Sequence, residues 1–335
     1  MICGCINYFT GSSVRHLALL LTTALLSLPG TAALAQSQPP ADTVEDITVV
    51  AAPVRDAVQA FVDTVGEAPP DRNLARWDRT ICVGVVNLAP RYAQALADQV
   101  SAVAMAVGLE PGEPGCRPDV LILADSNGDN LARWMVGQQR RAFRPDLSAS
   151  NLGSAALERF QTSGAPVRWW HVSQAVSADT GEAIGSGETV RVRGASRLRG
   201  NIREDLHHII IILDTSRIGS ISFASLADYV AMVALAQVDA DAEVTSYDTV
   251  LNLFAPNSVP GQRMTDWDLD YLRGLYAARP DALSETRQQR EIADEVVRQR
   301  ALRQEQAESG APATNDASEA PVADPAPEAG SPPQT

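Results

Sequence analysis

The chain has 335 residues, 45% of them hydrophobic and 20% charged, with a formal net charge of −14. These values suit a globular chain with a substantial core, and they exclude a wholly disordered protein, a collagen, a multi-span membrane protein and a cysteine-dense scaffold. All 27 basic residues are Arg, so there is no lysine for Schiff-base or phosphate-loop chemistry, and so acidic a chain repels nucleic-acid backbones.

Arg15 and His16 precede an apolar run from Leu17 to Pro29, and Ala33-Leu34-Ala35 forms an A-x-A site. This is the pattern of a secretory signal peptide over residues 1–35, cleaved after Ala35 into a periplasmic chain. The run falls short of the roughly 20 apolar residues of a comfortable membrane span; an uncleaved anchor is the alternative. Cleavage removes Cys3 and Cys5 and leaves Cys82 and Cys116. An even count in an exported chain predicts one disulfide, closing a loop of about 35 residues and contributing about 3–4 kcal/mol in the chain-entropy picture.

Residues 36–50 are polar and contain proline, as a linker does. Within this stretch, Glu45–Ala51 resembles the short box by which outer-membrane receptors engage an energising partner. The chain is too short for such a receptor's barrel, and a linker or short β segment is the plainer reading. The main domain is expected over 51–280. Val54, Ala57, Val58, Phe61, Val62 and Val65 have helical spacing, and Pro69-Pro70 ends that helix. Ile81–Asn87 reads as a strand. Pro90–Val107 reads as an amphipathic helix with Ala95, Val100, Val103 and Val107 inward, and Pro118–Ala124 as a second strand. Strand, helix and strand within about 45 residues predict a βαβ unit with parallel strands. Cys82 and Cys116 then fasten neighbouring strand ends.

Arg140, Arg141 and Arg144 cluster within five residues. They suit either an anionic group or a solvated face paired with local acids. Val167–Val176 alternates and has high β propensity, Ala178–Glu182 reads as a turn, and Thr189–Arg193 reads as the returning strand of a hairpin. Ile209–Leu213 is a buried strand. Phe223–Val238 is a long helix, apolar on nearly every face, which belongs at the centre of a domain. Asp266–Ala278 is a further helix, and Ser284–Ala307 a polar one with a thin stripe at Ile292, Val296 and Val297. Residues 308–335 hold six Pro, five acids and no Arg, a composition expected to be disordered.

The fold class expected is therefore α+β: a mixed sheet with a βαβ unit and a hairpin packed on a central apolar helix, a polar C-terminal helix and a disordered tail. Thr265 and Asp268 match a capping box, followed by Leu269, Leu272, Leu275 and Tyr276 on one face. An apolar helix, a turn and then Met264–Tyr276 resemble the second half of the metzincin-type zinc peptidases. In that family a zinc helix of the form HExxHxxGxxH precedes a helix of the form L-[ST]-x-x-D-x-x-x-[IL]-x-x-L-Y. The resemblance covers residues 75–280 and implies a zincin-like domain. It is shared with short exported bacterial proteins of uncharacterised role. In its register Tyr229 stands at the first zinc histidine, Val230 at the general-base glutamate, Val233 at the second histidine and Asp239 at the third ligand. Zinc hydrolysis takes about three N, O or S ligands and a base, and only Asp239 qualifies. The methionine turn is replaced near Thr249–Leu253. The resemblance thus implies a scaffold without metal, cofactor or catalytic residues.

Other chemistry is sparse. His171, His207 and His208 remain after cleavage, and sequential strand positions place His207 and His208 on opposite faces, so at most one joins His171 and an acid. Asp214 and Asp228 are a possible carboxylate pair, though Asp228 also suits the first turn of its helix. Trp169 and Trp170 offer one rim indole for a sugar or peptide beside one core indole. The function expected is a non-catalytic periplasmic module binding a protein or peptide of the envelope. The alternatives are a hydrolase with another site, and a structural envelope protein acting through its C-terminal helix.

Overall fold

The computed structural model describes residues 45–143, 149–185, 197, 199–259 and 261–310. Helix α1 (Glu45–Val65) begins inside the stretch expected to be a linker. Once a helix is nucleated, each added residue gains a hydrogen bond at little cost, which outweighs the weak β preference of 47–50. The buried face of α1 is Val58, Phe61, Val62 and Val65; Val54 and Ala57 are exposed.

Strands β1 (Thr80–Ile81) and β2 (Val83–Val86) flank Cys82, and α2 (Pro90–Ala106) follows. Helix α2 opens on Pro90 and buries Leu96, Val100, Val103 and Ala104. Then come β3 (Glu110–Pro111) and β4 (Val120–Asp125). Strand β2 pairs parallel to β4, so β2–α2–β4 is the βαβ unit, and β1 pairs parallel to β3. The Cys82–Cys116 disulfide joins the β1–β2 junction to the loop entering β4, with Cα atoms 6.1 Å apart. Gly112 lies against it; a Cβ there would meet Cys116 Sγ at 2.7 Å.

Helices α3 (Gly128–Gln138) and α4 (Arg140–Phe143), strand β5 (Ala149–Ser150) and helix α5 (Gly153–Thr162) lead to β6 (Val167–Ser177). The turn at Ala178–Glu182 forms, with Gly181 at φ 72° and Ser177 N–H donating to Glu182 O. The expected returning strand at 189–193 lies outside the described residues. The antiparallel partner of β6 is instead β7 (Ile202–Asp214), which extends the expected Ile209–Leu213 strand by seven residues toward its N-terminus. Its first half escapes an apolar-run criterion because it is polar, but that polarity is paired: Arg203 to Asp205, and Glu204 to Arg72.

The main sheet runs β2-β4-β7-β6-β5, with β2, β4 and β7 parallel and β6 antiparallel to β7. Alternation along β7 builds two cores. Ile209, Ile211 and Leu213 face α1, α2 and α6 (Phe223–Leu235). Ile210 and Ile212 join Trp170 and Val172 against Met135, Phe143, Leu157 and Phe160. Helix layers therefore cover both faces. Helix α6 is buried from Ala224 to Leu235, and its first turn is capped by Ser222, which accepts from Ser225 N–H at 3.0 Å.

A 3-10 turn (Val250–Phe254) precedes α7 (Asp266–Ala277), whose Thr265–Asp268 capping box is complete. Asp268 also accepts from Val250 N–H at 2.8 Å and so ties that turn to α7. Helix α8 (Glu285–Glu308) is the expected polar helix. It packs on α1 and α7. Gln288 bonds both backbone groups of Leu74, at 2.7 and 2.9 Å. Gly274 permits the approach, since a Cβ there would meet Val296 Cγ2 at 2.6 Å. Buried Asp270 holds Arg300 and Arg303. The thin stripe suffices because polar residues supply the rest of the contact. The tail beyond Gly310 lies outside the described residues. No helix among them is long and apolar enough to cross a membrane.

Candidate functional site

The four positions aligned with the peptidase metal site sit in and just beyond α6. Tyr229 packs its ring against Trp169 and Phe254, with centroids 6.1 and 5.1 Å away. Burial pushes its phenol well above the usual range. Val230 and Val233 are fully buried. Asp239 lies four residues past the helix end, with its N–H on Val65 O at 2.8 Å and its Oδ1 accepting from Asp241 N–H at 2.9 Å. No group of three or more His, Cys, Asp or Glu able to hold a metal ion occurs among the described residues.

The strand beside this helix carries the more open chemistry. Asp214 N–H donates to Pro166 O at 2.8 Å, which fixes the antiparallel alternation. In that register Val167, Trp169 and His171 turn their own N–H and C=O groups away from β7. Strand β5 pairs only with Ser173 and Gln174. The outer edge of β6 at Val167–Val172 therefore has no strand partner among the described residues. That edge borders a cleft of about 80 Å³ between the end of α5 and the loop after α6.

Two side chains of this stretch anchor it inward. His171 is buried, its Nε2–H donates to Val233 O at 3.0 Å, and burial lowers its pKa to about 4. Trp169 is half-buried and donates from Nε1 to Val238 O at 3.0 Å. Trp170 points to the opposite face, fully buried, with its indole N–H on Phe143 O. One core indole and one rim indole result, as the strand period requires.

The mouth of the cleft is charged. Glu67 follows α1, where Gly66 and Val238 form a single antiparallel bridge. Burial, then Asp239, raise the Glu67 pKa to about 7, against the opposing pull of Arg159. Arg159 lies 3.9 Å from Glu67 and 3.2 Å from Asp241. Sequence reasoning missed Glu67, Arg159 and Asp241. They come from three distant segments and share no motif, so only the fold assembles them.

The remaining candidates do not converge. His207 and His208 are not on opposite faces. A bulge at Val172/Ser173 leaves His207 without a cross-strand partner, and the two rings meet edge-on at 5.2 Å. His208 binds Ala142 O at 2.7 Å on the Trp170 side, so it cannot join His171. Asp214 and Asp228 are not a pair either. Asp228 accepts from Gln99, Arg263 and the Met264 N–H, and not from its own first turn. Asp214 accepts from Gly128 and Ser216 at the end of the sheet. Beside it, Asp129 receives a two-pronged Arg217 and then Arg168, which hold its carboxyl down at about 2. This network clamps α3 to β6 and β7, with two guanidinium groups against two carboxylates, and it leaves Arg168 Nε without a hydrogen-bond partner among the described residues. Arg140 and Arg141 are exposed on α4, and Arg144 lies outside the described residues.

No family model, no curated protein and no solved structure matches this chain.

Proposed function

We propose that this chain is a non-catalytic, zincin-like module of the periplasm that binds an extended peptide segment of an envelope protein along the outer edge of β6. The observation that carries this reading is the row of main-chain groups at Val167, Trp169 and His171 that has no strand partner among the described residues and borders the cleft. An extended peptide laid there adds a strand, and its main-chain hydrogen bonds supply affinity without dependence on sequence. Trp169 gives an aromatic wall. Glu67 and Asp241 at the mouth, with Asp239 acting on Glu67, favour a peptide carrying a cation.

Two further features support a binding role over hydrolysis. The aligned ligand and base positions on α6 are hydrocarbon or phenol, which neither ligate zinc nor accept a water proton at neutral pH. His171, the histidine nearest to α6, is committed to a carbonyl of that helix. The reading in which the C-terminal helix captures a partner is weaker, because Ile292, Ala293 and Val296 are buried within the domain. The disulfide supports export, since such bonds persist in oxidising compartments.

The test is selection of ten-residue peptides from a random library on the purified chain from Gln36, followed by amide hydrogen exchange. Bound peptides should slow exchange at Val167, Trp169 and His171, and cationic peptides should dominate. Protection elsewhere, or no selected peptide, overturns the binding site. Stoichiometric zinc with casein cleavage abolished by Tyr229→Phe or Asp239→Asn overturns the non-catalytic reading.

A further inference from the structure

Helix α3 turns one face fully outward. Asn130, Arg133, Trp134, Gly137 and Gln138 are all exposed at i, i+3, i+4, i+7 and i+8, and Arg140 and Arg141 are exposed on α4. Trp134 is 60% exposed. Trp77 and Trp170 are buried, and Trp169 and Trp267 half-buried. Single exposed apolar side chains need no explanation. Three exposed cations lie within seven residues of this one: Arg133 on its own helix, then Arg140 and Arg141 on α4.

Several guanidinium groups elsewhere in this acidic chain sit on carboxylates, as Arg168 and Arg217 do on Asp129, Arg263 on Asp228 and Arg300 on Asp270. Among the described residues, the side-chain partner of Arg133 is the neutral Asn130. Arg133, Arg140 and Arg141 have no carboxylate within ion-pair distance among the described residues. An exposed indole with three exposed cations close by in the chain, none of them paired with a carboxylate among the described residues, is complementary to a segment that alternates carboxylates with flat apolar rings.

The same chain carries such a segment. Residues 311–335 contain Asp316, Glu319, Asp324 and Glu328, six prolines and no basic residue. Proline holds a segment extended at low entropic cost and stacks on tryptophan, while carboxylates spaced three to five residues apart can each meet a separate guanidinium. Reach is not limiting. Twenty-five residues in an extended proline-type helix span about 78 Å, against a diameter near 47 Å for a domain of this size. An anionic bilayer or nucleic acid would be a poorer match, since a net charge of −14 repels an extended anionic surface.

We propose that the exposed α3–α4 face, centred on Trp134 with Arg133, Arg140 and Arg141, is the docking site for this chain's own acidic, proline-rich C-terminal segment. Docking covers the exposed indole and neutralises the three cations.

The test follows the Trp134 indole N–H signal by NMR, assigned through Trp134→Phe, in the chain from Gln36 to Thr335 and in a chain ending at Gly310. At 50 mM NaCl the two signals should differ, and at 500 mM NaCl they should coincide. Synthetic peptide 311–335 added to the shorter chain should move its signal to the full-length position, with affinity falling about tenfold or more between the two salt concentrations. R133Q/R140Q/R141Q in the full chain should reproduce the truncated signal. If truncation harms folding, D316N/E319Q/D324N/E328Q in the full chain serves the same purpose and should also reproduce the high-salt signal. Coincident signals at low salt with no response to peptide overturn the proposal. So does a response to phosphatidylglycerol vesicles with none to the peptide, which would make the face a membrane surface.

Discussion

His171 Nε2 lies 3.0 Å from the carbonyl oxygen of Val233, the residue that the peptidase resemblance places at the second zinc histidine. The imidazole stands on the neighbouring strand and donates to the last turn of α6. A neutral histidine thus joins β6 to the central helix, and the same contact holds the stretch of β6 that has no strand partner among the described residues.

That contact sets a pH dependence. In the unfolded chain His171 titrates near 6.5, while in the fold burial lowers its pKa to about 4. Between these values the unfolded state binds more protons, so stability is complete above pH 6.5 and is lost as pH falls toward 4. The shift corresponds to about 3 kcal/mol. His171→Gln keeps a donor for Val233 O but removes the titration. Urea unfolding at pH 7 and pH 4 should show the substitution destabilising at pH 7 and neutral or stabilising at pH 4. A cost equal at both values would refute the assignment.

Glu67 acts in the opposite sense. Its carboxyl titrates near 4.5 when unfolded and near 7 in the fold, because of burial and then Asp239, with Asp241 adding to the same effect against Arg159. Its stabilising influence is complete below pH 4.5 and is lost as pH rises through 7. The side chain is 27% exposed, so solvent screening reduces the effect to about 1–2 kcal/mol. Glu67→Gln should raise stability at pH 8 and leave it unchanged at pH 4. In the wild type the two titrations oppose each other across pH 4.5–6.5. His171→Gln should therefore expose a stability that declines as pH rises, and the double substitution should flatten the curve.

The sequence made much of this scaffold legible. The βαβ unit, the buried helix and the Thr265–Asp268 capping box each follow from a local pattern, namely period, continuous apolarity and cap spacing. The polar half of β7 did not, because its charges are paired only in the fold, Glu204 with Arg72 and Arg203 with Asp78 and Asp205. Nor did the docking of α8, which rests on Gln288, Asp270 and the missing side chain at Gly274 rather than on an apolar stripe. The candidate site divides the same way. Trp169 and His171 were visible as a strand pattern, whereas Glu67, Arg159 and Asp241 come together only by tertiary placement. The bulge that brings His207 against His208 breaks the period-2 rule that sequence reasoning relies on.

Reducing the Cys82–Cys116 bond should lower stability without changing the fold. The bridge spans 34 positions, and releasing such a loop in the unfolded chain costs about 3–4 kcal/mol. Cys82→Ala/Cys116→Ala should match the reduced wild type in denaturant midpoint and be insensitive to dithiothreitol. The far-ultraviolet spectrum should be retained, because β2 and β4 remain joined by their own ladder.

Gly274 offers the sharpest probe of how α8 is held. In an exposed helix interior, Gly→Ala gains about 1 kcal/mol from propensity. Here the added Cβ would lie 2.6 Å from Val296 Cγ2 and 3.0 Å from Ile292 O. The side-chain contact can be relieved by a rotamer change, but the carbonyl belongs to the backbone of α8, so the helix itself must move. Overpacking of this kind costs about 1–3 kcal/mol, enough to reverse the propensity gain. Gly274→Ala should therefore destabilise the chain and speed amide exchange along α8 and at Leu74, whose backbone Gln288 secures at both groups. Val296→Ala in the same chain should recover only part of the loss, because the contact with Ile292 O persists. A stabilised Gly274→Ala variant with unchanged exchange in α8 would mean that this helix is not seated against α7.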